Sequence, residues 1–165
     1  TQEDTVYESL TVYENIYYSA RLRLTDDIPK RTTKLKLIEE ILDLLRLQGI
    51  RNQTVGSVDK RSISGGERKR VNIAVEVVCC PLLLALDEPT SGLDSTIARD
   101  IMSDLRKLSA HGMLIVSVIH QPRFDIFTAF DDVVLLQRGG RAAYVGLSGK
   151  ALNWFSLIGC VNFNT

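Results

Sequence analysis

Leu86-Asp87-Glu88-Pro89-Thr90-Ser91-Gly92-Leu93-Asp94-Ser95 is the stretch that decides the fold. A wholly apolar run over 82–86 leads into it, behind Pro81, and delivers two adjacent carboxylates at its end. Such a run reads as a short parallel strand buried on both faces. Residues 95–110 follow with Ile97, Ile101, Leu105 and Leu108 at helical spacing, and Gly112 closes that helix. Residues 114–119 form a second apolar, partly β-branched strand. Strand, helix, strand is a βαβ unit whose crossover is expected to be right-handed. The fold class is therefore α/β.

Upstream stands Ser64-Gly65-Gly66-Glu67, the start of a helix reaching about residue 78. Ser64 at the N-cap and Glu67 three residues on make a capping box. The box does not account for the glycines, which cost roughly 1 kcal/mol each in a helix relative to alanine. They make sense where a ligand must approach bare backbone N–H groups, and a helix start with free donors suits phosphate. The following Arg68-Lys69-Arg70 reads as a solvated basic helix face. Earlier still, residues 11–24 carry Val12, Ile16, Ala20 and Leu24 on one helical face, opened by a Thr11/Glu14 capping box. Thr25-Asp26-Asp27-Ile28-Pro29 breaks the pattern. A second helix over 32–47 has Leu35, Ile38, Ile41, Leu42 and Leu45 on one side and Gly49 just past its end. Residues 51–63 form a polar loop. Downstream, a short aromatic helix over 124–130 precedes strands 133–136 and 141–145. These flank Arg138-Gly139-Gly140 as a hairpin at the sheet's end. A closing helix spans 148–158. The first sixty or so residues are helical and the remainder α/β, so two subdomains are expected.

The bulk composition narrows the field. With 165 residues, 45% apolar and 24% charged, the chain can form one ordinary domain with a core. Twenty basic and twenty acidic residues cancel, so no net field recommends nucleic acid as a partner. No apolar run approaches the roughly 18 residues that span a bilayer, and the polar start Thr1-Gln2-Glu3-Asp4 is no secretory signal. Cys79, Cys80 and Cys160 have neither disulfide-framework nor metal-ligand spacing and read as apolar filler in a reducing compartment.

Chemistry concentrates in a few side chains. A strand that ends in Asp87-Glu88 puts both carboxylates in the crevice where open α/β sheets bind ligands. Asp87 suits Mg²⁺, a hard cation that takes one or two carboxylates alongside phosphate oxygens. Glu88, pointing to the other side of the chain, could orient or deprotonate a water for in-line attack on a γ-phosphate. The alternative for the dipeptide alone is a helix-opening turn with acids placed against a helix dipole. His120 ends the second strand and is expected to face the same crevice, where imidazole could bond a γ-phosphate or hold that water. Gln2 is a further neutral ligand candidate. Gly149-Lys150 is a decoy: Tyr144 stands where a P-loop needs its first glycine, and Ala151 replaces the hydroxyl residue.

Ser-Gly-Gly-Glu, Leu-Asp-Glu-Pro-Thr-Ser-Gly-Leu-Asp-Ser and His-Gln-Pro together resemble the nucleotide-binding domain of ABC transporters over nearly the whole chain. ISGGERKR (63–70), IHQPR (119–123) and GGRAAYVG (139–146) are similar to the G subfamily, the white/pleiotropic-drug-resistance type. The resemblance implies a partial P-loop NTPase-like ABC ATPase domain. Residues 1–63 would be its Q-loop and helical subdomain, and residues 64–165 its core. It implies that Gln2 senses Mg²⁺ and γ-phosphate, and that Ser64, Gly65, Gly66 and Glu67 form the signature that clamps ATP held by an opposite subunit. Asp87 is then the Walker B aspartate, Glu88 the catalytic glutamate and His120 the switch histidine. Ser91 and Asp94 belong to the D-loop across the dimer interface. The implied ligands are ATP and Mg²⁺. The implied partners are a second nucleotide-binding domain, in the same or another chain, and a transmembrane domain of the same polypeptide. The implied place is the cytoplasmic face of a membrane transporter exporting lipid or another hydrophobic substrate.

A P-loop is not found within these residues, so the resemblance places it before Thr1 and the membrane domain after Thr165. The chain is then expected to be an internal piece with little ATPase activity of its own and an exposed apolar sheet edge. The alternatives are a soluble ABC ATPase of translation or DNA maintenance and a degenerate, non-catalytic cassette. Against DNA maintenance stand the short interval between Gln2 and Ser64, which lacks sustained heptads, and the neutral charge. Glu88 and His120 argue against the degenerate cassette.

Overall fold

The computed structural model describes residues 6–24, 31–57 and 62–159. Gln2, Cys160 and the break at 25–29 lie outside the described residues. The chain divides into two compact units, Thr1–His120 and Gln121–Thr165.

The first unit begins with α1 (Val12–Arg23). Its expected capping box is present: the Thr11 hydroxyl accepts the Glu14 N–H at 3.2 Å, and the Glu14 carboxylate accepts the Thr11 N–H at 2.8 Å. Val12, Ile16 and Ala20 are buried along the expected face. Asn15, only 4% exposed, binds the chain ahead of the helix. Its Oδ1 accepts the Tyr7 N–H at 2.8 Å, and its Nδ2 donates to the Tyr7 and Thr11 carbonyls.

α2 (Arg31–Leu44) buries Ile38, Ile41 and Leu42, with Leu45 beyond its end. It stops three residues before the expected boundary. Arg46, not Gly49, takes the left-handed conformation (φ 58°) that ends the helix. The Leu47 N–H then turns back to the Leu42 carbonyl at 2.7 Å, and a single 3₁₀ turn, Gln48–Ile50, follows. The early stop drops Leu47 into the core, where it is fully buried. A buried aliphatic side chain of this size contributes ~1.5–3 kcal/mol. Arg51 joins the two helices. It binds both Glu39 oxygens at 2.8 and 2.9 Å, and its guanidinium lies 4.8 Å over the Tyr13 ring.

α3 (Gly65–Val77) starts at Ser64 as expected, and its Val71, Ile73, Ala74 and Val75 are buried against α1, α2 and α4. The basic run at its start is not a solvated face. Arg68 donates to the Gly56 carbonyl at 2.6 Å, and Arg70 is buried against Asp104 at 3.1 Å. Packing of α3 onto α4 turns Arg70 inward, and it is stable there because an acid faces it.

β1 (Leu83–Asp87), α4 (Ser95–Ala110) and β2 (Leu114–Val118) form the expected βαβ unit, with the strands parallel and Leu83 opposite Leu114. The expectation that β1 is buried on both faces is not met. Leu84 is buried, and Leu86, Ile115 and Ser117 are half-buried on its face, while Leu83, Ala85, Val116 and Val118 on the other face are exposed. The β1–β2 sheet has two strands among the described residues, and none of the described helices of this unit covers that second face.

The second unit carries α5 (Phe124–Phe127), β3 (Asp132–Leu136), β4 (Ala142–Leu147) and α6 (Ala151–Leu157). β3 and β4 are an antiparallel hairpin forming a sheet of their own, turned through Gly139 and Gly140 at φ 90° and 77°. Trp154 and Phe155 of α6 each lie 6.3 Å from the Tyr144 ring. Gly149 and Lys150 sit in the 3₁₀ turn ahead of α6.

Candidate functional site

β1 ends at Asp87, but its ladder runs one residue further: the Glu88 N–H donates to the Val118 carbonyl at 2.9 Å. Glu88 then turns into the left-handed region at φ 45°. The Ser91 N–H closes a turn on the Glu88 carbonyl at 3.1 Å. One strand over, His120 follows β2 and Gln121 is left-handed too, at φ 49°. Left-handed glutamate and glutamine each carry steric strain of order 1 kcal/mol. Such strain gathers where a backbone must aim a side chain. Asp87 and His120 are exposed and Glu88 is half-buried. No hydrogen bond or ion pair engages these three side chains among the described residues. Two carboxylates and an imidazole thus stand free at the carboxyl edge of adjacent parallel strands.

The second group is the start of α3. Its capping box is complete: the Ser64 hydroxyl accepts the Glu67 N–H at 3.3 Å, and Glu67 accepts the Ser64 N–H at 2.7 Å. An α-helix leaves its first N–H groups without intrahelical partners. The box closes those of Ser64 and Glu67 and leaves the Gly65 and Gly66 amides. The two glycines differ. A Cβ on Gly66 would collide with Ile97 Cγ2 of α4, so bare backbone is needed there for helix–helix approach. At Gly65 a Cβ would meet, among the described residues, only Leu93 Cδ2, at 3.6 Å, an ordinary contact. Gly65 therefore keeps an approach that is open among the described residues.

The loop from Ser91 to Asp94 joins the groups. Leu93 reaches Gly65, and Asp94 caps α4, its Oδ1 accepting the N–H groups of Thr96 and Ile97 at 2.9 Å each. Ser91 is exposed. No hydrogen bond or ion pair joins Ser64, Gly65 or Gly66 to Asp87, Glu88 or His120 among the described residues. The donor set fits a hard divalent cation with phosphate, since an accessible carboxylate without a counter-ion is what Mg²⁺ takes from a protein.

Sequence reasoning missed two buried polar side chains that hold the fold together. Asn15 sits on the apolar side of α1, and Asp104 on the apolar side of α4 beside Ile101 and Leu105. A polar residue in an apolar stripe is the signal that could have found both.

The chain is similar to known proteins over nearly all of its length. The family described as ABC transporter matches residues 1–91, and that described as ABC-2 type transporter matches residues 120–163. ABC transporter G family member 28 of Arabidopsis thaliana is 46% identical over 97% of this chain and 14% of its own length. ABC-type transporter claG of Penicillium crustosum is 43% identical over 93% of this chain and 20% of its own. ABC transporter G family member 1 of Dictyostelium discoideum is 41% identical over 96% of this chain and 20% of its own. The chain thus spans a fifth or less of these relatives. Among solved structures, MJ1267, an ATP-binding cassette of an ABC transporter, superposes with TM-score 0.75 at 20% identity. That match covers 96% of this chain and 65% of MJ1267.

Proposed function

The chain belongs to the ABC transporter family, with G family members among its relatives, and on that premise we propose that it is part of the ATP-hydrolysing motor of a membrane transporter. Residues 1–63 serve as the Q-loop and helical arm and residues 64–165 as the catalytic core of one nucleotide-binding domain. The observation that carries this reading is the free Asp87, Glu88 and His120 set at the carboxyl edge of parallel β1 and β2.

In this reading Asp87 and Gln2 hold Mg²⁺ beside the nucleotide. Mg²⁺, when bound, neutralises charge on the β- and γ-phosphates. The Glu88 carboxylate orients a water in line with the γ-phosphorus and takes its proton as the new P–O bond forms and the bond to the leaving ADP oxygen breaks. The His120 imidazole donates to a γ-phosphate oxygen and fixes its direction. Ser64 and the amides of Gly65 and Gly66 donate to the γ-phosphate of a nucleotide held by a second such domain, Glu67 bracing their helix start. Ser91 and Asp94 lie at the interface with that domain.

Gly-x-x-x-x-Gly-Lys-Ser/Thr does not occur in these 165 residues, so alone they should hydrolyse ATP little. Glu88-dependent turnover by the isolated polypeptide would refute that. In the complete transporter, a membrane domain in the same polypeptide carries lipid or another hydrophobic substrate, and this chain works at the cytoplasmic face. Among the described residues no helix is long and apolar enough to cross a membrane.

The test is Glu88→Gln in the full-length protein. ATP binding should persist while turnover falls by about a hundredfold or more, the range of a lost general base. Near-normal turnover would sink the assignment.

A further inference from the structure

Around Asp104, 1% exposed, three cations converge. Arg70 Nε of α3 lies 3.1 Å from one carboxylate oxygen, while Arg46 Nη2 and Lys107 Nζ lie 3.4 and 3.2 Å from the other. Arg46 also reaches Asp100 at 3.1 Å, and Arg70 approaches Asp100 at 4.0 Å. The cluster draws on the end of α2, the first half of α3 and the middle of α4.

Two facts make this more than a satisfied buried charge. Arg46 is the left-handed residue ending α2, where glycine is the usual choice because arginine is strained at φ 58°. Local propensity is overruled there, and the compensation on view is the guanidinium spanning Asp100 and Asp104. The contacts also follow helical geometry. Gly66 and Arg70 are one turn apart on one face of α3, and Ile97, Asp100 and Asp104 share one face of α4. The two helices are thus held at two levels, by the Gly66–Ile97 contact and by the Arg70–Asp104 ion pair.

We propose that Arg46, Arg70, Asp100 and Asp104 are positioning residues, a charged clamp that sets α3 against α4 and ties both to the end of α2. The clamp fixes where Ser64 and the Gly65 amide stand relative to Ser91 and Asp94. The inference rests on the reading of Ser64, Gly65 and Gly66 as a phosphate clamp. Arg46 is the link whose loss leaves the fold in place, since Arg70 and Lys107 still neutralise buried Asp104.

Arg46→Gly in the full-length protein separates support from positioning. Glycine relieves the strained φ, so the melting temperature should hold or rise. The kcat for MgATP should fall about tenfold, one decade of rate. KM should move less than about twofold, because loss confined to the transition state appears in kcat. Asp100→Asn should lower kcat similarly, and the double variant should be no slower than Arg46→Gly alone, as expected of residues acting through one contact. Unchanged kcat in Arg46→Gly, a melting loss that accounts for the kcat loss, or additive effects in the double variant would each overturn the clamp. Glu88→Gln is run alongside. If it too retains turnover, the underlying ATPase reading fails; if it is dead while Arg46→Gly is normal, the clamp alone fails.

Discussion

Gly66 approaches Ile97 so closely that a single methyl group on its Cα would collide with the Ile97 Cγ2 atom. The first turns of α3 and α4 therefore meet at bare backbone. Helix propensity alone would make Gly66→Ala stabilising by up to about 1 kcal/mol. The contact reverses the sign: overpacking should cost about 1–3 kcal/mol. Ile97→Ala should recover part of it in the double variant. Gly65→Ala, with an ordinary contact to Leu93, should not destabilise. Thermal unfolding of the three variants checks the order.

Gly65→Asp puts a carboxylate where a phosphate is proposed to bind. It should leave the fold intact and block nucleotide-driven closure of paired domains, with turnover falling about a hundredfold, the scale of losing a preorganised anion site. Undiminished closure, followed by cross-linking or light scattering, would contradict the signature assignment.

Asp94 spends its carboxylate on the cap of α4, accepting two N–H groups at once. Asp94→Ala should cost about 1 kcal/mol of stability. Asp94→Asn or Asp94→Ser should restore most of it. If turnover drops in Asp94→Asn while melting is preserved, the charge has a role at the domain interface beyond capping.

Two carboxylates tie the helical part to acid stability. The Arg51 hydrogen bond, then Gln48, holds Glu39 below its ordinary value, and the Thr11 N–H, then its hydroxyl, does the same for Glu14. Both folded values are depressed, so their stabilisation is complete above the ordinary pKa, near 4.5. It is lost as pH falls through the lowered folded values. Unfolding at pH 3 should therefore be less sensitive to Glu39→Gln than unfolding at pH 6. Equal sensitivity at both would show that the Arg51 pair contributes nothing.

Much of this was legible along the chain because it is local. A capping box needs only Thr11 and Glu14, or Ser64 and Glu67, three residues apart, and both formed where the spacing placed them. The βαβ unit follows from two apolar runs and the amphipathic stretch between them, and the parallel pairing of β1 with β2 bears it out. The free carboxylates of Asp87 and Glu88 follow from a strand that ends in acids. Gln2 lies outside the described residues.

What the linear pattern could not supply depends on what lies across from a residue. Arg70 looks like one of three solvated bases until α4 brings Asp104 against it. Gly49 looks like the end of α2 until Arg46 takes the left-handed turn, with two carboxylates of α4 to hold its side chain. The glycines at 65 and 66 look alike until Ile97 crowds one and leaves the other open. The sequence by itself determined the elements, the two capping boxes and the acids at the strand's end, because hydrogen bonds over a few residues and apolar periodicity are written in order. Tertiary structure alone decided which charges are buried and which glycine is free, because burial and close approach depend on partners thirty or more positions away.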